Sequence, residues 1–257
     1  MQSLSSSDNE HQPWREALTY VTETGGSAPS LFAETISKTL PIEPGKTRLL
    51  DIGCGSGIIG LYTLVKRKAA FVTFNDIQKE MIAAARVNAD KQIMRGAISD
   101  SQVAYLGGDF KSISAQAVAR HNLVSFNPPQ LPSDALSAKN RAEIEEDQSL
   151  SYFRLGGPDG LRIVRDFFHW YSQLADVQPE AVILLSSFLG LSKIRAAIRE
   201  SNLKSKILTR TTVPLREILS DAAERLSAEE MEDRSLKRTD QRRWTKELLT
   251  ISVQQIA

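Results

Sequence analysis

Leu49-Leu50-Asp51-Ile52-Gly53-Cys54-Gly55-Ser56-Gly57-Ile58-Ile59-Gly60 runs from one apolar stretch through a glycine turn into another. That order predicts a buried strand over 48–52, a turn, and a helix from about Gly57 to Lys66. Glycines behind a strand let the backbone come close to a ligand where a Cβ would collide. A helix starting there aims its unbonded N–H groups at the same point.

Two glycine registers overlap in this turn. Gly55-x-Gly57-x-x-Gly60 fits a dinucleotide fingerprint, and Gly53-x-Gly55-x-Gly57 fits a turn for a nucleoside without phosphates. Three acids separate them. Asp51 stands just before the turn, where a carboxylate would repel a pyrophosphate but can accept a bond from an ammonium, directly or through water. Asp76 ends a second expected strand, 70–75, where an acid can accept both ribose hydroxyls. Asp109, in Gly108-Asp109-Phe110, follows a third, 102–106. There it can bond an adenine amino group while Phe110 or Ile77 flanks the ring. Each acid alone is an ordinary turn or cap residue. Together, at three strand ends, they suit a cationic nucleoside, S-adenosylmethionine.

On these residues the stretch from about Lys46 to Gly190 resembles class I S-adenosylmethionine-dependent methyltransferases. The resemblance implies a seven-stranded, mostly parallel Rossmann-like α/β sheet with a reversed last strand, here 248–253. The remaining pattern agrees with it. Strands are expected at 123–126, 181–186 and 206–213, with helical stretches near 112–120, 160–174 and 191–201. The helix after the second strand turns Met81, Ile82, Ala85 and Val87 inward. Residues 13–40 read as two helical pieces broken at Gly25-Gly26, with Leu31, Phe32, Ile36 and Leu40 near helical spacing and Ser30 placed to cap the second. The division expected is an N-terminal helical cap, 1–45, and a cofactor-binding domain, 46–257.

The second informative stretch is Asn127-Pro128-Pro129-Gln130, after Leu123-Val124-Ser125-Phe126. Two prolines fix the backbone and remove two N–H donors. The Asn127 side-chain oxygen and the Pro128 carbonyl remain as acceptors that can hold an N–H nucleophile and aim its lone pair. This resembles the N-methyltransferase branch carrying Asn-Pro-Pro-Tyr, which includes release-factor glutamine methyltransferases and amino-methylating DNA and RNA enzymes. Leu155-Gly156-Gly157-Pro158-Asp159-Gly160-Leu161 resembles the Gly-Gly-x-Asp-Gly-Leu loop of the release-factor group. Gln130 departs from that branch, which has an aromatic there to stack on a base or amide. A small polar acceptor is therefore expected, with Asn127, Pro128 and Gln130 as catalytic residues, Asn127 also touching the cofactor, and Tyr20, Pro129 and Tyr152 as substrate contacts.

Residues 214–246 are rich in charge and too long for a hairpin loop. Ile218, Leu219, Ala222 and Leu226 form one apolar face, and Ser227 to Glu230 reads as a capping box. A helical lid is expected, against the plainer reading of a solvated decoration. Arg234, Lys237, Arg238, Arg242, Arg243 and Lys246 lie among acids and read as a salt-bridged face, with a nucleic-acid surface and one Arg reaching a substrate carboxylate bidentately as alternatives. The 257 residues carry net charge +1, which argues against a global field for nucleic acid or membrane. A single cysteine, Cys54, fits a reducing, cytoplasmic setting. His11, His121 and His169 show no metal spacing. The leading expectation is an N-methyltransferase acting on an amine or amide nitrogen. Its rivals are cyclisation of the cofactor, as in azetidine-2-carboxylate synthases, a peptide or protein glutamine methyltransferase, and a non-catalytic binding module.

Overall fold

The computed structural model describes residues 28–39, 45–66, 68–146, 155–174, 179–241 and 243–256. Five strands, β1 (Arg48–Ile52), β2 (Phe71–Asp76), β3 (Val103–Gly107), β4 (Leu123–Phe126) and β5 (Glu180–Ser186), pair in parallel. Then come β6 (Leu203–Pro214), β7 (Lys237–Arg238) and β8 (Trp244–Gln255). The order is β3-β2-β1-β4-β5-β8-β6, with β7 paired to β8. β8 runs antiparallel between β5 and β6, so the reversed last strand is present. The two-residue β7, inside the charged insertion, raises the count from the expected seven to eight.

The strands read as nearly unbroken apolar runs because both faces of the sheet are covered. Leu49, Val72, Phe74 and Leu184 pack on one face with Phe32, Ala33 and Ile36 of α1 (Ala28–Thr39) and Ile59 and Leu64 of α2 (Ile58–Val65). Ala85 and Ala89 of α3 (Lys79–Met94) join them. Leu50, Val124, Ile183 and Ile251 face the other way. They meet Phe167, Phe168 and Tyr171 of α6 (Arg162–Ser172) and Ile194 of α7 (Leu191–Glu200). The third expected helix shrinks to α4 (Ala115–Val118).

A smaller cluster ties the insertion to the molecule. Leu131, Leu136 and Ile144 meet Phe188, Leu219, Ala222 and Ala223, with Ile218 and Leu226 against them. Ile144 lies on α5 (Ala138–Glu146), and the insertion forms α8 (Ser220–Glu224) and α9 (Ala228–Asp233). The Ser227 hydroxyl accepts from Glu230 N–H, and the Glu230 carboxylate accepts from Ser227 N–H, so the capping box is formed. Two details differ from the sequence pattern. Val87 is 47 % exposed, because Met81, Ala84, Ala85 and Ala89 supply the buried stripe of α3. Ser30 sits within α1, which begins two residues earlier. Leu40, Arg242 and the first helical piece of 13–40 lie outside the described residues.

Chain order reverses at β1: β2 and β3 lie to one side, β4 and β5 to the other. Such a switch point opens a crevice at the carboxyl ends of the central strands, where ligands bind in open α/β sheets.

Candidate active site

The glycine turn leads from β1 into that crevice. Gly53, Gly55 and Gly57 all have positive φ, 57°, 54° and 84°. Side chains at these positions would be strained whatever the space available. Gly60 serves packing instead: a Cβ there would lie 2.4 Å from the Phe74 ring.

The three acids behave differently from one another. Asp51 is fully buried below the turn, one oxygen accepting from Gly60 N–H at 3.1 Å and the other from the Ser125 hydroxyl at 2.6 Å. It does not line the crevice, and neither does Gly57. Direct contact with a ligand ammonium gives way to a structural task, clamping the turn and the first turn of α2 to β4. Burial pushes its carboxyl up to about 7, despite the bonds from Ser125 and Gly60. Asp76 does line the crevice. Its oxygens accept from Gly55 N–H at 3.0 Å and Gln78 N–H at 2.9 Å, and burial raises its carboxyl above the usual range. Asp109 lines it too, bonded to Lys111 N–H at 2.9 Å with the Lys111 ammonium 3.3 Å away.

These elements enclose a cavity of about 590 Å³. Ile77, an apolar side chain 57 % exposed, and Phe110 face it from the ends of β2 and β3. Phe110 is held by Phe126 and Trp170, ring centroids 5.7 and 5.5 Å away. Arg162 and Asp166, one turn apart on α6, also line it and were not among the expected residues. The available signal was the position of Arg162, directly after the Gly-Gly loop.

Asn127 and Pro129 close one end of this cavity. Asn127 also borders a second cavity of about 430 Å³, together with Pro128 and Gln130. The Asn-Pro-Pro segment is thus a partition between two spaces. Gln130 is a strut within it. Its amide nitrogen donates to Leu184 O at 3.0 Å, and its oxygen accepts from Ser186 N–H at 2.6 Å, extending the backbone pairing at the end of β5. The expected free hydrogen-bonding group for substrate is therefore engaged with the sheet.

The Gly-Gly loop braces this partition. Leu131 pairs with Leu155, and Gly156 N–H donates to Leu131 O at 3.0 Å. A Cβ on Gly156 would lie 2.8 Å from Gln130 Cα and 2.3 Å from Gly160 O. Asp159 closes the loop with both oxygens on Arg165, 2.7 and 3.2 Å, and this partner holds its carboxyl below the usual range.

On the far side of the second cavity, Lys246 of β8 donates to the Ser186 hydroxyl at 2.8 Å. Burial first, and the nearby Arg216 second, lower the Lys246 ammonium to about 8. Neither Arg216 nor Ser186 stood out in the sequence, because register brings them together: Lys246 lies opposite Val213 in the β6–β8 pair. Arg234 lies over the Phe188 ring, and Arg238 pairs with Glu224 at 3.1 Å. Cys54 is buried, and burial raises its thiol well above its ordinary value. Tyr20 and Tyr152 lie outside the described residues. Among the described residues no cluster of His, Cys, Asp or Glu could hold a metal, and no helix is long and apolar enough to cross a membrane.

Residues 26–143 match the family model described as "Methyltransferase small domain". The chain is 33% identical to the release factor glutamine methyltransferase of Deinococcus radiodurans over 120 residues, 47% of this chain and 38% of that protein. It is 31% identical to ribosomal RNA small subunit methyltransferase C of Haemophilus ducreyi over 128 residues, 50% of this chain and 35% of that protein. The chain thus spans well under half the length of these curated relatives. Its fold is similar to that of the YcgJ protein of Bacillus subtilis, at TM-score 0.52, 13% identity and coverage of 88% of this chain and 99% of that one.

Proposed function

We propose that this chain, whose residues 26–143 match the methyltransferase small domain model, transfers a methyl group from S-adenosylmethionine to an amine or amide nitrogen of a small polar acceptor. The observation that carries this reading is the position of Asn127, bordering both cavities at once.

The first cavity fits the cofactor chemically. Gly53 and Gly55 leave its wall free of side chains, and Asp76 and Asp109 offer carboxylates at the ends of β2 and β3. Ile77 and Phe110 form apolar walls for a planar base. S-adenosylmethionine supplies a methyl group already activated on a sulfonium, so the chain's task is placement. The Asn127 side-chain oxygen and the Pro128 carbonyl accept hydrogen bonds from the attacking nitrogen and aim its lone pair. Orientation of this kind can supply several kcal/mol of barrier lowering, roughly 7–11 at best. Gln130, locked to β5, fixes the partition's backbone and leaves no aromatic face at that position.

The test begins with the pure protein and S-adenosylmethionine alone, with products identified by mass spectrometry. S-adenosylhomocysteine formed only after an acceptor is added supports methyl transfer. Methylthioadenosine with a cyclic amino acid would overturn it in favour of cyclisation. A panel of small amines and amides is then run beside a release-factor glutamine peptide and ribosomal RNA, the acceptors named in the relatives. Turnover confined to the peptide or the RNA would overturn the small-acceptor part of the reading.

A further inference from the structure

The second cavity has a charge pattern of its own. Most of the residues lining it are apolar, Pro128, Leu184, Phe188, Leu219 and Leu248 among them. Two cations enter this wall, Lys246 from β8 and Arg216 from just beyond β6. The Lys246 ammonium donates to Ser186 Oγ, a neutral partner, and no Asp or Glu is among the described residues lining the cavity. Holding a charge against apolar groups with only a hydroxyl for a partner is unfavourable, and a second positive charge nearby adds to the cost. An anion placed beside both groups relieves both effects, and charge-assisted bonds to it are stronger than neutral ones.

Lys246 reaches the reaction zone through a short chain of contacts. Ser186 accepts from Lys246 through its hydroxyl and donates to Gln130 through its N–H. Gln130 lies three residues from Asn127 on the partition. An acceptor gripped at Lys246 therefore occupies the cavity that Asn127 borders.

We propose that the second cavity is the acceptor site, and that Lys246 holds an anionic group of the acceptor, a carboxylate or a phosphate monoester, with the positive charge of Arg216 nearby, while its nitrogen lies at Asn127. This inference rests on the methyl-transfer reading for the role of Asn127. The anion grip itself is testable without turnover.

The full chain, saturated with S-adenosylhomocysteine, is titrated with malonate and separately with inorganic phosphate at pH 7 and low salt. Binding is followed by ligand-observed NMR and by the shift in thermal midpoint. Saturable binding of at least one anion is expected, and the better ligand identifies the chemistry. Lys246→Met should weaken it by about tenfold or more, the worth of one charge-assisted bond. Lys246→Arg should restore most of it, because the charge is kept. Affinity for S-adenosylhomocysteine should be the same in all three proteins, since Lys246 does not line the first cavity. No saturable anion binding, or equal binding by Lys246→Met, would overturn the proposal. Failure of the wild-type chain to bind S-adenosylhomocysteine would count against the methyl-transfer reading, and the anion titration would then stand on the cofactor-free protein.

Discussion

Two cavities meet at Asn127, and their walls are built on opposite plans. On one side, carboxylates at the ends of β2 and β3 sit among backbone donors, and two cations accompany them, Lys111, which lies against Asp109 and Asp166, and Arg162. On the other side, Lys246 and Arg216 enter an apolar wall without a carboxylate among its described lining residues. The first plan suits a ligand carrying positive charge and hydroxyls, the second a ligand carrying negative charge. A partition of two prolines separates them, so each side can select its own ligand while one side chain faces both.

The sharpest way to break this contrast is at the shared residue. Asn127→Ala should lower turnover about a hundredfold or more, the usual scale for losing a positioning group at the reacting centre. Affinity for S-adenosylmethionine, measured by calorimetry, should stay within a few fold. Full activity in that variant would remove Asn127 from the reaction.

A second test addresses the foundation of the first cavity. Asp51 has a folded-state value of about 7, above its ordinary 3.8. Between those values the folded state binds the proton and the unfolded state does not, so this group's contribution to stability falls as pH rises and is recovered as pH drops through 7. Asp76 is shifted in the same direction. Wild-type stability should therefore gain on Asp51→Asn by roughly 2–3 kcal/mol between pH 8 and pH 5. Denaturant unfolding at the two pH values measures it, and a gap independent of pH would mean that Asp51 does not titrate in this range.

The strut under the partition gives a smaller effect. Gln130→Ala leaves Ser186 N–H and Leu184 C=O without their side-chain partner and should cost about 2 kcal/mol of stability. It should slow turnover more than it weakens cofactor binding; the reverse pattern would place Gln130 on the cofactor side. Smallest of all, Asp76→Asn should weaken cofactor binding about tenfold and leave anion binding in the second cavity unchanged. Loss of both would mean that the two cavities do not act separately.

The two sides also differed in how far the sequence disclosed them. The cofactor side was legible because its groups follow strands at fixed places: the glycine turn after β1, Asp76 after β2, Asp109 after β3. Local pattern carried them all. It could not say which acid would face the ligand. Asp51 and Asp76 look alike in sequence, yet one is clamped beneath the turn and the other lines the cavity, because of where Ser125 and Gly60 happen to lie. The second cavity was largely illegible. Lys246 was one of eight basic residues between 214 and 246, and only the antiparallel register of β6 with β8 picks it out from Arg234 and Arg238. Gln130 was read as a substrate contact because a polar amide beside two prolines looks available. Nothing local shows that β5, more than fifty residues later, provides its partners.

The place of β8 has a consequence for how this protein comes into being. β5 and β6 are neighbours only through β8, which is made after both. On the ribosome, β1 to β5 can pair as each emerges, but the outer edge of β5 waits for residues 244–255. An unpaired apolar edge of that kind invites association with other chains. Lys246 arrives on the same strand, so a nascent chain acquires the walls of its first cavity before it acquires Lys246 in the second.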